Sequence, residues 1–204
     1  MNICVLATST TLHRIGGTEL HAETLARLAA GRGHSVFLVT TAAPDGRRYD
    51  EKDGYRTYYL NGTSHLMSRG DLRAWWEGST AKISELKDEF GLDVIWAENF
   101  AGQSYAASAR AAAGIPVISI MNGLGICGEV LSNWNRVDSL KEAAWFFTRY
   151  AARTVLYYLP WLYRTMKYSD RVVAISDEGM TELGEEFPAF RGKLRKIYNA
   201  IDTD

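Results

Sequence analysis

The feature that most constrains the fold of this sequence is a regular alternation of short apolar runs with longer segments of helical period. The apolar runs are rich in β-branched and aromatic residues: NICVLA, SVFLVT, YRTYYL, DVIWA, PVISI, RVVAI and KLRKIY. Helical segments are predicted at 18–32, 71–90, 103–113, 139–167 and 177–186. This order is typical of a parallel sheet wrapped by helices. We therefore predict an α/β protein with a doubly wound, mostly parallel sheet and helices on both faces.

Composition excludes several classes of function. The 23 basic and 24 acidic residues nearly cancel, whereas a nucleic-acid partner usually requires a basic excess, so none is expected. Cys4 and Cys127 lie far apart without metal-ligand neighbours, which favours packing roles in a reducing compartment. The N-terminal apolar run is too short for a signal peptide, and no apolar window reaches the length of a membrane span. A cytoplasmic location is expected.

Two adjacent glycines, Gly16 and Gly17, follow the first apolar run and precede the first predicted helix. A helix N-terminus offers unpaired N–H groups and the positive end of the helix dipole, so glycines there allow a phosphate to approach. The stretch lacks both the G-x-G-x-x-G fingerprint and the phosphate-loop pattern. The alternative is a tight turn with Thr18 as the helix cap and Glu19 complementing the dipole. A nicotinamide-type oxidoreductase is disfavoured, because the second strand ends in threonines rather than an acidic residue.

Polar residues at the ends of predicted strands mark a second candidate region. Glu98 and Asn99 follow DVIWA and are expected at the crevice where α/β sheets bind ligands, although a solvated loop is the alternative. The segment 121–138, rich in Gly and Asn, is expected to help form the site. His13 precedes the glycines and is interpreted as a surface residue or a ligand contact. No residue spacing indicates a metal site or a Ser-His-Asp hydrolase.

The long helical segment at 139–167 carries two neighbouring stripes. One is predicted to pack on the sheet: Leu140, Ala144, Phe147, Ala151, Val155, Tyr158 and Leu162. The other is aromatic and basic: Phe146, Tyr150, Arg153, Tyr157, Trp161 and Arg164. The second stripe is interpreted either as buried surface with extended arginines or as a contact with an anionic membrane or a lipid-linked acceptor. Pro160 is expected to kink this helix.

Several segments, taken in order, resemble the N-terminal domain of a family 4 glycosyltransferase with the two-domain GT-B fold. RIGGTELHAETLARLAAGRGHSVFLVTT is similar to the family's Gly-Gly loop, helix and second strand. DVIWAENF and AAAGIPVISIMNG resemble the next two strands, and YSDRVVAISDEGMTELGE resembles a strand followed by a helix that begins at a serine. KIYNAIDTD resembles the segment that leads into the linker between the domains.

The resemblance implies a retaining, hexosyltransferase-like enzyme that moves a sugar from a nucleotide-sugar donor to a glycan or lipid-linked acceptor without a metal or cofactor. Residues 1–198 would form the acceptor-side domain, and 199–204 would begin the linker to a C-terminal donor domain that this chain lacks. The chain is thus expected to be an inactive fragment located in the cytoplasm or peripherally at the inner face of the membrane. The alternative is a stand-alone Rossmann-like binding or scaffold domain.

The resemblance also implies site residues, although it assigns no catalytic one. Gly16 and Gly17 match the loop beside the donor diphosphate. Asn122 and Gly123 stand where many members have His-Gly, and asparagine can bind a sugar hydroxyl but cannot titrate. Asn199 and Ala200 replace the usual Asn-Gly of the linker, and alanine tolerates a left-handed turn less well. The predicted substrate-binding residues are Gly16, Gly17, Thr18, Glu98, Asn122 and Gly123.

Overall fold

The computed structural model describes residues 1–66, 69–108, 114–123, 125, 126, 128, 130, 134 and 137–199. Four predictions lie wholly or partly outside them: the packing role of Cys127, the end of the third helix at 109–113, part of the segment 121–138, and the linker at 200–204.

Eight strands form one sheet. They are β1 (Asn2–Leu6), β2 (Ser35–Thr41), β3 (Tyr49–Lys52), β4 (Tyr55–Leu60), β5 (Val94–Glu98), β6 (Val117–Met121), β7 (Arg171–Ala174) and β8 (Leu194–Lys196). Their order is β3-β4-β2-β1-β5-β6-β7-β8, and only the β3–β4 pair is antiparallel. Every predicted strand is present, which confirms the mostly parallel sheet.

The additional strand, β3, was not predicted because its sequence, YDEK, is polar and lies at the sheet edge. It pairs with β4 through a tight turn at Asp53 and Gly54, whose φ angles are 54° and 79°. Asp-Gly is the dipeptide that favours such hairpin turns. This short signal in the sequence could have revealed the hairpin.

In the described part of the chain, five helices pack on the sheet. They are α1 (Gly17–Gly31), α2 (Arg69–Phe90), α3 (Gln103–Ser108), α4 and α5 (Asp177–Glu186). The helix α4 consists of four consecutive pieces: Leu140–Trp145, the π-helical Phe146–Ala151 and Thr154–Tyr158, and Leu159–Tyr168. A short 3₁₀ helix, Pro188–Lys193, precedes β8. No helix in the described part of the chain is long and apolar enough to cross a membrane.

The helices cover both faces of the sheet. Ile3 and Val5 of β1 pack with α1 on one face, whereas Cys4 and Leu6 pack with α2 and α3 on the other. This alternation follows from the two-residue period of a strand. Burial raises the pKa of the Cys4 thiol, which therefore stays protonated, in agreement with its predicted packing role. The doubly wound α/β fold is confirmed.

The helix α1 packs on the sheet through alanines. Leu20 is 59% exposed, whereas Ala22, Ala26 and Ala29 are buried against the sheet. Alanines let the helix axis approach the strands closely, so the small residues face inward. Thr18 is also not the helix cap: Gly16 occupies that position, and no side chain caps the helix.

The predicted core stripe of α4 is only partly right: Leu162 is buried, whereas Leu140, Phe147 and Val155 are largely exposed. The buried positions follow a spacing of four residues: Phe146, Thr154, Leu162 and Met166, with Tyr150 and Tyr158 half-buried. A π-helical turn closes i to i+5 hydrogen bonds and thus holds an extra residue. Two such turns keep residues four apart on one side. Pro160, where a kink was predicted, lies in the first turn of the regular helix that follows the second π-helical turn.

Candidate active site

A cleft of about 360 Å³ opens at the carboxyl edge of the sheet, where the strand order changes direction between β1 and β5. This switch point is where doubly wound sheets bind their ligands. The polar lining comes from strand ends and the start of α1: Thr8, Thr18, Glu98, Asn99, Asn122 and Gly123. The apolar lining is mostly aromatic: Leu72, Trp75, Trp76, Phe100, Ala101, Tyr158 and Trp161.

Glu98, at the end of β5, belongs to the polar lining and is held in place by hydrogen-bond partners. Its side chain is 2% exposed and lies between two partners. His21 Nδ1 is 3.0 Å from Oε1, and the Asn122 side-chain amide donates a short hydrogen bond to Oε2. A buried carboxylate held by two hydrogen-bond partners cannot reorient without losing one of them. The sequence did not reveal His21 as its partner, because the two residues lie far apart in the chain.

Asn122 is held in one orientation. Its backbone N–H donates to Asn99 Oδ1 at 3.0 Å, and Asn99 adopts a left-handed conformation with a φ of 50°. Such a conformation is uncommon for residues other than glycine and often occurs at functional sites. Since the Asn122 side-chain N–H binds Glu98, its Oδ1 is left without a partner among the described residues. This oxygen is an unused hydrogen-bond acceptor beside the cleft.

The two glycines at the start of α1 have different surroundings. A Cβ at Gly16 would collide with the Glu19 carboxylate, whereas a Cβ at Gly17 would meet no atom within 4 Å. Glu19 folds back beneath the turn, where Ser9 Oγ donates to it and Arg14 Nε approaches it at 2.7 Å. Gly16 is therefore required by the packing of Glu19. Gly17 leaves open space at the helix N-terminus.

The Glu19 carboxylate is turned away from that open space, towards Ser9 and Arg14. Burial by itself raises the pKa of Glu19, but the hydrogen bonds from Ser9 and Arg14 outweigh this effect and leave the pKa below its usual value. Glu19 is thus an anion paired with Arg14, whose own side chain is 64% exposed. The sequence left the direction of this carboxylate open.

The aromatic side of the cleft joins three helices or loops. Phe100 contacts Tyr158 edge-on with ring centroids 5.0 Å apart, and its ring lies 6.0 Å from that of Trp161. The indole N–H of Trp75 donates to the Ala101 carbonyl at 3.1 Å. Trp75 and Trp76 of α2 were not singled out in the sequence. Their neighbouring positions in AWWEG are the only local signal for them.

His13 has a structural role. Its Nδ1 accepts a hydrogen bond from the Thr10 backbone N–H at 3.1 Å, and its Nε2 lies 3.0 Å from the Ala42 carbonyl. When Nδ1 accepts, Nε2 is the ring nitrogen that can donate to the Ala42 carbonyl. His13 is not available to a ligand in this arrangement.

The aromatic and basic stripe predicted on α4 is divided between different surroundings. Arg153 and Tyr157 are exposed, whereas Trp161 lines the cleft. Arg164 is exposed at a small neighbouring pocket. Among the residues that the structure describes, no three His, Cys, Asp or Glu side chains are grouped to hold a metal ion.

Comparison with known proteins identifies the family. The family model for Glycosyltransferase Family 4 matches residues 15–204. The chain belongs to this family. Comparison with curated proteins gave no match. The chain has the Rossmann-like fold that forms half of a GT-B glycosyltransferase. Several solved glycosyltransferases share this fold.

Sucrose-phosphate synthase from Thermosynechococcus elongatus matches with a TM-score of 0.64 and 15% identity, over 97% of this chain and 47% of that protein. HepE from Anabaena, in complex with UDP and glucose, matches with a TM-score of 0.54 and 16% identity, over 99% and 45%. UGT2 from Phytolacca americana, in complex with UDP-2fluoro-glucose and pterostilbene, matches with a TM-score of 0.62 and 13% identity, over 100% and 55%. The chain thus spans about half the length of these glycosyltransferases.

Proposed function

We propose that this chain is the N-terminal, acceptor-side half of a retaining glycosyltransferase that moves a hexosyl group from a nucleotide sugar to a glycan or lipid-linked acceptor. The observation that carries the proposal is the cleft. Thr18, beside the open Gly17, shares it with an aromatic wall and with the fixed pair of Glu98 and Asn122. The complexes of HepE with UDP and glucose and of UGT2 with UDP-2fluoro-glucose support a nucleotide sugar as donor.

We assign the donor diphosphate to the start of α1. The first N–H groups of this helix have no side-chain cap, and such groups bind anions together with the helix dipole. Gly17 leaves the approach to these N–H groups clear. Stabilising the leaving diphosphate in this way needs no metal or cofactor. The nucleotide itself would be held by a C-terminal donor domain, after a linker beginning at 199–204.

We assign the acceptor sugar to the aromatic cleft. Trp76 and Trp161 offer apolar ring faces on which the C–H face of a sugar can pack. Asn122 lines this cleft, where its amide would hydrogen-bond a sugar hydroxyl but cannot transfer a proton. We therefore give Asn122 a binding role and assign no residue as acid or base. The proposed place of action is the cytoplasm, at the inner face of a membrane when the acceptor is lipid-linked.

The test is a transfer assay on the complete protein that contains this chain, with a panel of nucleotide sugars and acceptors and product detection by mass spectrometry. Gly17→Val should lower transfer about 100-fold, because its side chain blocks the diphosphate from the N–H groups. Asn122→Ala should lower it up to about tenfold, the effect of losing one neutral hydrogen bond. Proton NMR of the product should show the anomeric configuration of the donor.

Gly31→Val is the matched control, because Gly31 lies at the other end of α1 and also has no atom near its Cβ position. It should leave transfer unchanged. Full activity of Gly17→Val would refute the diphosphate assignment. Turnover by the 204-residue chain alone would refute its assignment as half an enzyme. No turnover by the complete protein with any donor would favour the binding or scaffold domain instead.

A further inference from the structure

A second cavity, of about 330 Å³, lies between α1 and the β3–β4 hairpin. We call it the hairpin pocket. Its inner wall consists of Tyr55, Thr57 and Tyr59 of β4, which the two-residue period of the strand places on the face that α1 covers. Tyr58 and Leu60 of the same strand pack on the opposite face. No described residue lines both this pocket and the cleft.

The inner wall is polar, and its hydroxyls lack partners. Tyr55, Thr57 and Tyr59 are 7%, 6% and 8% exposed, so each is more than nine-tenths buried. Their side-chain hydroxyls form no hydrogen bond with another described residue, and they are not sealed from solvent as the Thr40 hydroxyl is. Buried polar groups in proteins are almost always hydrogen-bonded. These three hydroxyls must therefore take their partners from what fills the pocket.

The same hydroxyls can both donate and accept hydrogen bonds. Burial raises the pKa of Tyr55, and burial together with the nearby Asp50 carboxylate raises the pKa of Tyr59. Both phenols therefore stay protonated at neutral pH. Each of them, like the Thr57 hydroxyl, offers one O–H donor and an acceptor oxygen. A ligand that carries several hydroxyls of its own matches this wall.

The charges around the pocket cancel. Its charged lining residues are Glu23, Arg47, Asp50 and Lys52, two of each sign. Arg47 forms an ion pair with Asp50 at 2.9 Å, and the register of the hairpin places Asp50 directly beside Thr57. Because charged ligands are selected by a complementary charge, a pocket with balanced charges favours a neutral ligand.

Glu23 of α1 provides an oriented acceptor. Thr11 donates to its carboxylate twice, from the backbone N–H to Oε1 at 2.8 Å and from the hydroxyl to Oε2 at 2.9 Å. A carboxylate has about four lone-pair positions, so Glu23 can accept further hydrogen bonds from a ligand. Such bonds to a charged acceptor are stronger than neutral ones. Leu12, which is 39% exposed, adds an apolar contact for C–H groups.

We propose that the hairpin pocket binds one neutral hexosyl unit of a glycan. Its volume is near the lower end of the range of roughly 300–1,000 Å³ for small-molecule sites, which suits a single sugar ring. The sugar hydroxyls bond to Thr57, Tyr59 and Glu23, and the C–H groups contact Leu12. Binding here requires neither a donor nor transfer, so a glycan-binding domain without catalysis would use the pocket equally.

The test is fluorine NMR of the 204-residue chain labelled with 3-fluorotyrosine and titrated with methyl α-glucoside, methyl α-mannoside and methyl α-galactoside. Tyr55→Phe, Tyr59→Phe and Tyr158→Phe each remove one signal and thereby assign it. At least one sugar should shift the Tyr55 and Tyr59 signals saturably in the native chain. Tyr158 lines the cleft and reports binding there. Shifts confined to Tyr158, or no shift with any of these sugars, would overturn the proposal.

A double variant tests the inner wall directly. Thr57→Val with Tyr59→Phe keeps the shape of the side chains and removes two hydroxyls. It should raise the Kd, read from the Tyr55 signal, roughly 5- to 100-fold, because one neutral hydrogen bond contributes about two- to tenfold. The matched control, Thr80→Val with Tyr58→Phe, makes the same changes outside the pocket and should leave the Kd unchanged. Equal Kd values for the two double variants would contradict the assignment.

Added charge on the ligand tests the chemical class. The Kd of the neutral sugar should not change with salt, and glucose 6-phosphate should bind no more tightly than methyl α-glucoside. Tighter binding of the phosphate, weakened by salt, would overturn the neutral class. A complete protein that transfers sugar without shifts at Tyr55 and Tyr59 would keep the proposed function and lose this site. Shifts at both tyrosines without any transfer would keep the site and lose the function.

Discussion

Replacing Gly16 with alanine should destabilise the protein, whereas the same change at Gly17 should not. The backbone at Gly16 is extended, with a φ of −158° and a ψ of 169°, which any residue can adopt. The cost therefore comes from the new Cβ, which would displace the Glu19 carboxylate from beneath the turn. At Gly17 no atom lies near the new methyl group.

The magnitude follows from the contacts that Glu19 would lose. Its buried carboxylate is held by Ser9 and Arg14, and hydrogen bonds to a charged group contribute about 1.5–3 kcal/mol. For a domain of this length such a loss corresponds to a decrease in Tm of about 3–7 °C. Gly17→Ala should be neutral or stabilising by up to about 1 kcal/mol, because alanine has the higher helix propensity.

The assay is urea unfolding followed by circular dichroism, arranged as a double-mutant cycle between Gly16→Ala and Glu19→Ala. Once the Glu19 side chain is absent, Gly16→Ala should cost little. The reasoning would be refuted by an equal cost of Gly16→Ala in both backgrounds, since that result would place the strain in the backbone. It would also be refuted by equal destabilisation from the changes at Gly16 and Gly17.

Two further predictions concern the pH dependence of stability and the packing behind the cleft. Because the pKa of Glu19 is lowered in the folded state, its stabilisation is complete above the unfolded value of about 4.3 and is lost as the pH falls through the lower folded value. The difference in unfolding free energy between the native protein and Glu19→Gln should thus be constant above about pH 5 and shrink below about pH 4; a difference that grows on acidification would contradict the pairing. Gly102→Ala should cost about 1–3 kcal/mol in the same urea assay, because its Cβ would lie 2.6 Å from the Ala97 Cβ. Gly70→Ala, where the Cβ position is open, should show no such loss, and similar costs at both positions would argue against the overpacking.

Much of the fold and part of the site follow from local patterns in the sequence. Short apolar runs rich in β-branched and aromatic residues predicted the seven strands other than β3, and α5 was predicted with its observed bounds of Asp177 and Glu186. The position of Glu98 beside the cleft followed from the rule that carboxyl ends of parallel strands meet at one edge of the sheet, whereas Asn122 was singled out only through the family resemblance. These predictions succeed because each depends on residues close together in the chain.

What the sequence by itself determined is therefore the α/β class, most of the strands, and the edge of the sheet where a site forms. Only the tertiary structure decided which face of α4 is buried, because two π-helical turns shift the register that a regular helix would have. It also decided that Glu19 turns inward to Ser9 and that His21 meets Glu98 across the fold. Such contacts depend on how whole elements pack together. Packing results from many weak interactions between residues that are distant in the sequence, so local sequence patterns do not predict it.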